Sequence, residues 1–153
     1  MQSRTAASPP TVASLVASGQ RQLRASPAID HWHRAIARED AEDLLALALG
    51  VEFEAMDRQA PVSARVEGRY REYVDRRAAG EPVALIRGWV EFAGLSLSVR
   101  PGVFVPRGSS ELLARQAVAA LRRRNPAIAV DVACGAAPVG CAVAAALPAA
   151  EVW

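Results

Sequence analysis

Apolar residues recur at helical spacing through the first part of the chain. Thr11 is a good N-cap, and it predicts a helix to about Ala25 whose apolar side is formed by Val12, Leu15, Val16 and Leu23. A second, short helix is predicted from Asp30 to Ala37. Residues 1–10 are small, polar and rich in proline, which is typical of a disordered segment.

Two longer helices follow in the pattern. Asp40 is a suitable N-cap for a leucine-rich helix that ends at Gly50, where a left-handed C-cap is expected. Ser63 begins a further helix that ends at Gly80, with an apolar stripe formed by Val66, Tyr70, Tyr73 and Val74. Two i,i+4 ion pairs are expected to support it by about 0.2–0.5 kcal/mol each, Glu67–Arg71 and Glu72–Arg76. Residues 1–80 are therefore predicted to form a small helical domain.

The period of the pattern changes after Pro82. Leu95, Leu97 and Val99 alternate with polar residues, which predicts a half-buried strand. Residues 83–92 are predicted to be its hairpin partner, with the turn at Ala93-Gly94 and the end of the pair at Pro101-Gly102. Residues 81–106 are thus expected to form a β-hairpin linker.

The last third of the chain has the pattern of an α/β unit. Ser109 or Ser110 caps a helix through about Arg124, with Leu112, Leu113, Ala117, Val118 and Leu121 facing inward. The apolar run 128–133 is typical of a strand buried on both faces. A glycine-containing loop, an alanine-rich helix and the start of another strand at residues 151–153 come next. This order predicts the start of a doubly wound sheet over residues 107–153.

Composition and charge narrow the function only slightly. All 18 basic residues are arginine, and the net charge of +2 does not require a nucleic-acid partner. No apolar run approaches the roughly 20 residues that span a bilayer. The acid-free first 29 residues permit an organellar transit peptide, but a frayed tail before an ordinary helix is favoured, and we expect a cytoplasmic protein. Cys134 and Cys141 indicate neither a zinc site nor a disulfide framework.

One stretch has the form of a ligand-binding turn. Residues 131–137, Asp-Val-Ala-Cys-Gly-Ala-Ala, join the end of the predicted strand to the following helix. Short side chains at such a turn let backbone N–H groups and the helix N-terminus approach a ligand. A glycine- and alanine-rich turn also serves packing alone, so this stretch leaves both interpretations open.

Three further candidates have ordinary structural explanations. The triplet His31-Trp32-His33 suggests a metal or stacking site, but surface helix positions are favoured because no cysteine or carboxylate cluster accompanies it. The basic run 122–124 fits a helix C-terminus better than an RNA site. Cys134 has the position of a reactive thiol at a helix N-terminus, with packing as the simpler role.

A second stretch carries a specific resemblance. Residues 81–88 read Glu-Pro-Val-Ala-Leu-Ile-Arg-Gly, residues 91–95 read Glu-Phe-Ala-Gly-Leu, and residues 100–107 read Arg-Pro-Gly-Val-Phe-Val-Pro-Arg. Together with residues 40–45, with Glu111 and with the turn at 131–137, they resemble in order and spacing the release-factor glutamine methyltransferase (PrmC/HemK) family. The resemblance covers nearly the whole chain from about residue 40 and corresponds to the N-terminal portion of that family.

The resemblance implies a fold, a cofactor and a reaction. It implies a helical domain followed by the truncated start of a Rossmann-like domain that binds S-adenosyl-L-methionine. The implied reaction is methyl transfer to the side-chain amide of glutamine in the Gly-Gly-Gln loop of peptide release factors. By position in the motifs, the implied cofactor-binding residues are Asp131, Ala133, Cys134, Gly135 and Ala137, and those near substrate or cofactor are Pro106, Arg107 and Glu111.

The chain also departs from the family pattern. Ala133 and Ala137 stand at two of the three motif glycines, and the middle of the Pro-Arg-Pro-Glu-Thr-Glu motif is lost at residues 108–110. The amide-positioning Asn-Pro-Pro-Tyr loop does not occur, since Asn125-Pro126 is followed by Ala127 and Ile128. No catalytic residue is therefore assigned, and we expect the 153-residue chain alone neither to bind the cofactor appreciably nor to methylate a substrate.

Two functions remain open from the sequence. The first is a fragment of a glutamine methyltransferase, for which the reading frame beyond Trp153 is expected to encode the Asn-Pro-Pro-Tyr loop. The second is a non-catalytic module that binds a release factor or the ribosome. A ribosomal protein as the methylation substrate also remains open, because related enzymes share these motifs.

Overall fold

The computed structural model describes residues 8–153, which divide into two compact units, one ending at Ile86 and one beginning at Arg87. The boundary lies within the segment 81–106 that the sequence predicts to be a linker. The predicted disorder of residues 1–10 falls largely on residues 1–7, outside the described part. No described helix is long and apolar enough to cross a membrane.

The first unit is helical. Its elements are α1 (Val12–Ala25), α2 (His31–Ala35), α3 (Ala37–Leu49), a 3₁₀ turn (Phe53–Ala55), α4 (Ala64–Ala78) and the start of α5 (Val83–Arg87). Helix α1 begins as predicted. The Thr11 side-chain hydroxyl accepts from the Ser14 N–H, and the Ser14 hydroxyl oxygen accepts from the Thr11 N–H. This capping box satisfies two N–H groups that the helix itself leaves without partners.

The core of the first unit lies among α1, α3 and α4. The four predicted apolar residues of α1 are buried, as are Leu44 and Leu45 of α3 and Tyr70 and Val74 of α4. The Tyr70 hydroxyl donates to the carbonyl of Leu15 at 3.1 Å and passes directly over Gly19. A glycine in the middle of α1 therefore makes room for the largest buried side chain of α4.

The predicted N-cap at Asp40 is wrong. Helix α3 begins at Ala37, and Ile36 at its N-cap position makes no side-chain cap hydrogen bond. Asp40 lies in the first turn, where its carboxylate accepts from the Arg77 Nε–H at 2.7 Å, and both side chains are buried. A long-range ion pair has thus replaced the expected local cap. The left-handed C-cap at Gly50 is confirmed, with φ of 76°.

Helix α4 begins as predicted and ends slightly earlier. Ser63 caps it by accepting from the Val66 N–H, and the last helical residue is Ala78 rather than Gly80. The predicted Glu67–Arg71 ion pair is present. Arg76, predicted to pair with Glu72, instead forms its ion pair with Glu81 at 2.6 Å, because the chain turns back toward the helix after Gly80. That pairing lowers the pKa of Glu81.

The predicted strand over residues 83–92 is only partly correct. Residues Val83–Arg87 form helix α5, in which the N–H groups of Leu85 and Ile86 donate to the carbonyl of Pro82. Ile86 is buried against the helical core, which a strand facing its hairpin partner would not allow. Strand β1 begins only at Trp89, directly after Gly88, whose positive φ of 86° ends the helical turn.

The second unit begins with the hairpin. Strands β1 (Trp89–Phe92) and β2 (Leu95–Ser98) pair antiparallel, with Phe92 opposite Leu95. The turn lies at Ala93-Gly94 as predicted, and φ is positive at both residues (50° and 77°). Such a two-residue turn matches the twist of the flanking strands. Phe92 is buried with Ala114 and Ala142, which anchors the hairpin to the two helices that follow.

The rest of the second unit contains α6 (Ser110–Leu121), β3 (Ile128–Ala129), α7 (Pro138–Ala146) and β4 (Glu151–Val152). Strands β3 and β4 run parallel, which confirms the predicted strand–loop–helix–strand order. The prediction that Leu112 and Leu113 face inward is wrong, since they are 56% and 60% exposed. Within the described residues α6 packs on α7 and buries Ala114, and the two leucines lie outside that contact.

The first parallel strand is shorter than the predicted run and is not covered on both faces. Strand β3 has two residues rather than six, and Ile128, Val130 and Val132 are 51%, 67% and 84% exposed. A strand of this composition is covered on both faces in a complete parallel sheet. Among the described residues β3 pairs only with β4, so these three side chains remain in contact with solvent.

Candidate functional site

The loop that joins β3 to α7 has an unusual backbone. Ala133, Gly135 and Ala137 have φ of 58°, 58° and 52°, whereas φ is not positive at the residues between them, Cys134 and Ala136. Alternation of this kind occurs in backbone nests, where successive N–H groups turn toward one side and bind an anion. The loop has adopted the conformation that glycine takes readily, even where the chain has alanine.

This conformation carries a cost at two positions. An L-residue in the left-handed region is disfavoured by about 1–2 kcal/mol relative to the right-handed one, whereas glycine is not. Ala133 and Ala137 each carry that cost. At Gly135 the conformation is the main constraint, because an added methyl would lie in ordinary contact with Phe104, 3.5 Å from its Cβ and 3.6 Å from its carbonyl oxygen. Strain of this kind persists only where the surroundings hold it.

The two ends of the loop are tied together. Asp131 donates its backbone N–H to the carbonyl of Trp153 at 2.7 Å, which continues the pairing of β3 with β4. Its Oδ2 accepts from the N–H of Gly140 in the first turn of α7 at 2.9 Å. Asp131 is therefore fixed between the small sheet and the helix, on the strand side of the loop.

The N-terminus of α7 opens onto the same loop. Ala137 is its N-cap, without a side-chain cap hydrogen bond, and Pro138 occupies the first turn. The positive end of the helix dipole favours a negatively charged group at this point. Pro138 has no N–H and the N–H of Gly140 donates to Asp131, so Val139 supplies the remaining N–H of the first turn. Cys134 is exposed with a free thiol, so packing does not explain its position in the loop.

The segment that precedes α6 reaches the loop through a residue that the sequence did not single out. Phe104 lies beside Gly135, and the Arg107 guanidinium stands 5.2 Å from the centre of the Phe104 ring. A cation at this distance from an aromatic face is attracted to it. Arg107 is thus linked to the loop only through Phe104, whose ring it faces and whose Cβ and carbonyl lie beside Gly135.

Glu111, which the resemblance places near substrate or cofactor, contacts the hairpin turn in this chain. Its Oε1 accepts from the N–H of Ala93 at 3.1 Å, in the hairpin turn, and its Oε2 lies 3.6 Å from Arg115. Glu111 therefore connects α6 to the hairpin rather than to the loop. Pro106 is half-buried. Phe104 and Gly140 were missed, because nothing in a single sequence distinguishes an apolar residue before a proline or one glycine in an alanine-rich helix.

An apolar groove of about 500 Å³ lies elsewhere in the second unit. It is lined by the hairpin turn, α6 and the C-terminal half of α7, and by none of residues 131–137. Its walls are mostly alanine, with Arg115 and Arg122 on the α6 side. Among the described residues, Arg115 and Arg122 are its only polar side chains, and the groove contains none of the loop residues that the resemblance assigns to the cofactor.

The remaining candidates are surface features. His31 stacks at 4.7 Å on Trp32, which is 74% exposed, and His33 shares a 2.8 Å hydrogen bond with Asp30. Among the side chains that the structure describes, no group of three or more histidine, cysteine or acidic residues is arranged to hold a metal ion. The three arginines 122–124 are exposed at the end of α6.

The fold and the loop together define the structural class of the protein. Along the chain, a helical unit precedes a hairpin, and the hairpin precedes a parallel strand–loop–helix–strand unit whose loop contains three left-handed residues. This is the element order of an α/β protein with an N-terminal helical domain.

Comparison with known proteins agrees with that class and specifies the family. Residues 14–88 match the family described as PrmC N-terminal domain. A release factor glutamine methyltransferase of Burkholderia pseudomallei (strain K96243) is 35% identical over 151 residues, which cover 97% of this chain and 48% of that protein. The release factor glutamine methyltransferase of Streptomyces coelicolor is 38% identical over 114 residues, or 72% of this chain and 40% of that protein.

The chain therefore belongs to the release factor glutamine methyltransferase (PrmC/HemK) family and corresponds to its N-terminal portion. A relative from Bifidobacterium longum gives the same result, with 34% identity over 74% of this chain and 41% of that protein. The chain spans about half the length of the curated relatives it matches.

Proposed function

We propose that the chain supplies the helical domain, the hairpin and the first cofactor loop of an S-adenosyl-L-methionine-dependent methyltransferase, acting in the cytoplasm on a peptide release factor. Residues 107–153 are then the start of a Rossmann-like domain. The observation that carries the proposal is the loop itself: three left-handed residues lie between a parallel strand and a helix N-terminus, at the position where the family has its glycine motif.

The residues of the loop suit the methionine end of the cofactor. That end carries a carboxylate, and the left-handed backbone of the loop and the positive end of the α7 dipole favour an anion. When bound, the cofactor supplies a methyl group on a positively charged sulfur, so no protein nucleophile is required. Ala133, Cys134 and Gly135 would provide backbone contacts, since the N–H of Ala137 already donates to the carbonyl of Cys134 at 2.8 Å.

The proposed methyl acceptor is the side-chain amide of a glutamine in the Gly-Gly-Gln loop of a release factor. An amide nitrogen is a weak nucleophile, so its orientation toward the methyl group dominates the rate. The 153 residues contain no Asn-Pro-Pro-Tyr sequence to provide that orientation. We therefore propose that the chain by itself holds the cofactor weakly and transfers no methyl group.

Binding without catalysis is a second candidate for this chain. The first unit has a continuous buried core, whereas β3 leaves Val130 and Val132 largely exposed. A stable helical unit can bind a release factor whether or not the second unit binds a cofactor. Direct binding of purified release factor, with a ribosomal protein preparation as comparison, distinguishes this role and also tests the partner.

Titration with S-adenosyl-L-methionine, followed by amide NMR shifts, tests the loop assignment. We expect shifts at residues 133–137 at millimolar ligand and no methyl transfer to a release factor. Gly135→Val should abolish the shifts, because a β-branched residue is strongly disfavoured at φ of 58°. Gly108→Val is the matched control, since an added side chain there meets open space. Shifts that survive in Gly135→Val would contradict the proposal.

A further inference from the structure

A single hydrogen bond joins the two sides of the loop. Asp131 ends the strand side, Gly140 lies in the first turn of α7, and the Asp131 Oδ2 is 2.9 Å from the Gly140 nitrogen. All three left-handed residues lie between these two positions. The bond therefore closes a short segment whose backbone would otherwise relax toward more favourable dihedral angles.

The bond also replaces a helix cap. The first N–H groups of a helix have no partner inside the helix, and a side chain at the N-cap usually accepts from the third residue. In α7 the N-cap is Ala137, which has no acceptor, and the third residue is Gly140. The Asp131 carboxylate accepts that N–H from outside the helix, and its negative charge lies at the positive end of the helix dipole.

Gly140 is suited to this partner by its lack of a side chain. A methyl group there would lie 3.3 Å from the Asp131 Oδ2 and 3.4 Å from the Val152 Cγ1. Both distances are short for such contacts, and Gly140 is buried. The carboxylate and β4 can approach α7 this closely because residue 140 is glycine.

We propose that Asp131 is a positioning residue, which sets the conformation of the loop by binding the N–H of Gly140, and that cofactor affinity depends on this bond rather than on a direct contact between the Asp131 charge and the cofactor. The proposal rests on the loop being the cofactor site. It differs from the role that the family resemblance implies for Asp131, which is cofactor binding by that residue itself.

Hydrogen exchange at the Gly140 amide tests the bond in the full chain without any ligand. We expect Asp131→Ala to lower its protection about ten- to hundred-fold, because a hydrogen bond to a charged group is lost. Asp131→Asn keeps an acceptor oxygen and should retain most of the protection. Gly140→Ala should lower protection of its own amide by crowding the carboxylate, whereas Gly68→Ala, which meets open space in α4, is the matched control and should change nothing at residue 140. Equal, fast exchange of this amide in the unsubstituted chain and in Asp131→Ala would overturn the proposal.

Titration of the same variants with S-adenosyl-L-methionine separates positioning from contact. Positioning predicts that cofactor affinity changes in parallel with the protection of the Gly140 amide. Asp131→Asn should then bind the cofactor about as well as the unsubstituted chain, and Gly140→Ala should bind it as weakly as Asp131→Ala. Two results would show that the carboxylate contacts the cofactor directly and would overturn the proposal. One is loss of cofactor affinity in Asp131→Asn while the Gly140 amide stays protected, and the other is unchanged cofactor affinity in Gly140→Ala. If the unsubstituted chain gives no shifts at millimolar ligand, the proposed function fails, and the exchange data still decide whether Asp131 fixes the loop.

Discussion

At the residue scale, the two left-handed alanines distinguish this loop from one made of glycine. Ala133 and Ala137 adopt the same region of φ as Gly135, although their Cβ atoms disfavour it. The structure tolerates them because both ends of the loop are held, at Asp131 by Gly140 and by Trp153. Their cost reduces stability without preventing the conformation.

Glycine at both positions should therefore stabilise the second unit. We expect Ala133→Gly with Ala137→Gly to raise the free energy of unfolding by about 1 kcal/mol, since relief of about 1–2 kcal/mol per residue is partly offset by the greater flexibility of glycine in the unfolded chain. Urea denaturation measures this, and cofactor affinity should rise with it. Ala136→Gly is the control in the same loop, because residue 136 has no positive φ, and it should be destabilising. Unchanged or lower stability in the double variant would show that the loop is not strained at these alanines.

At the element scale, helix contacts in the first unit depend on one glycine and one buried ion pair. The Tyr70 hydroxyl lies over Gly19, so α1 and α4 approach closely at that point. Arg77 and Asp40 join α4 to α3, with side chains only 6% and 11% exposed. Neither partnership is local in sequence, and both connect helices that are separated by at least one other element.

The glycine contact predicts a clear contrast between two substitutions. A methyl group at residue 19 would overlap the Tyr70 hydroxyl, so Gly19→Ala should destabilise the chain by about 1–3 kcal/mol. Gly68→Ala in α4 meets open space and should be neutral or stabilising by about 0.5–1 kcal/mol through helix propensity. Thermal or urea denaturation followed by circular dichroism compares them. Equal effects of the two substitutions would mean that α1 and α4 are not packed at Gly19.

The ion pair predicts another contrast on a single helix. Arg77→Met leaves the Asp40 carboxylate buried without its partner, which should cost about 3–5 kcal/mol. Arg71, the ion-pair partner of Glu67, has a side chain that is 71% exposed, so Arg71→Met should cost less than about 0.5 kcal/mol. Denaturation of both variants is the measurement, and a small effect of Arg77→Met would indicate that water reaches Asp40.

At the scale of the whole molecule, the two units differ in how well they cover their apolar residues. The first unit has a continuous core, while the second has a small cluster around Phe92 and leaves several large apolar side chains exposed: Phe104, Leu112, Leu113, Ile128, Val130, Val132 and Trp153. Burial of apolar surface is the main favourable term in folding. The second unit should therefore be the less stable of the two.

Hydrogen exchange should show this difference residue by residue. We expect slow exchange in α1, α3 and α4 and fast exchange at Val130 and Val132, which are 67% and 84% exposed beside a two-residue strand. The packed helices serve as the internal control in the same sample. Slow exchange at both valines would instead indicate that another strand, such as one from a second copy of the chain, pairs with β3, and sedimentation at several concentrations would then detect the dimer.

Features that depend on near neighbours could be predicted from the sequence. The start of α1 at Thr11, the left-handed end of α3 at Gly50, the start of α4 at Ser63 and the hairpin turn at Ala93-Gly94 all follow from caps, periods and turn residues within a few positions. The family resemblance was also readable, because it rests on ordered motifs. These features survive in the folded chain because tertiary contacts agree with the local preferences.

Features that depend on distant partners could not be predicted and follow from the packing of the folded chain. Residues 83–87 form a helix because Ile86 is buried against the helical core. Asp40 pairs with Arg77 instead of capping α3. Leu112 and Leu113 are exposed because α6 packs on α7 through Ala114. The left-handed alanines and the Asp131–Gly140 bond belong to the same group. Local pattern does not reveal them, because each follows from the position of a group that is remote along the chain or from how the ends of a segment are held.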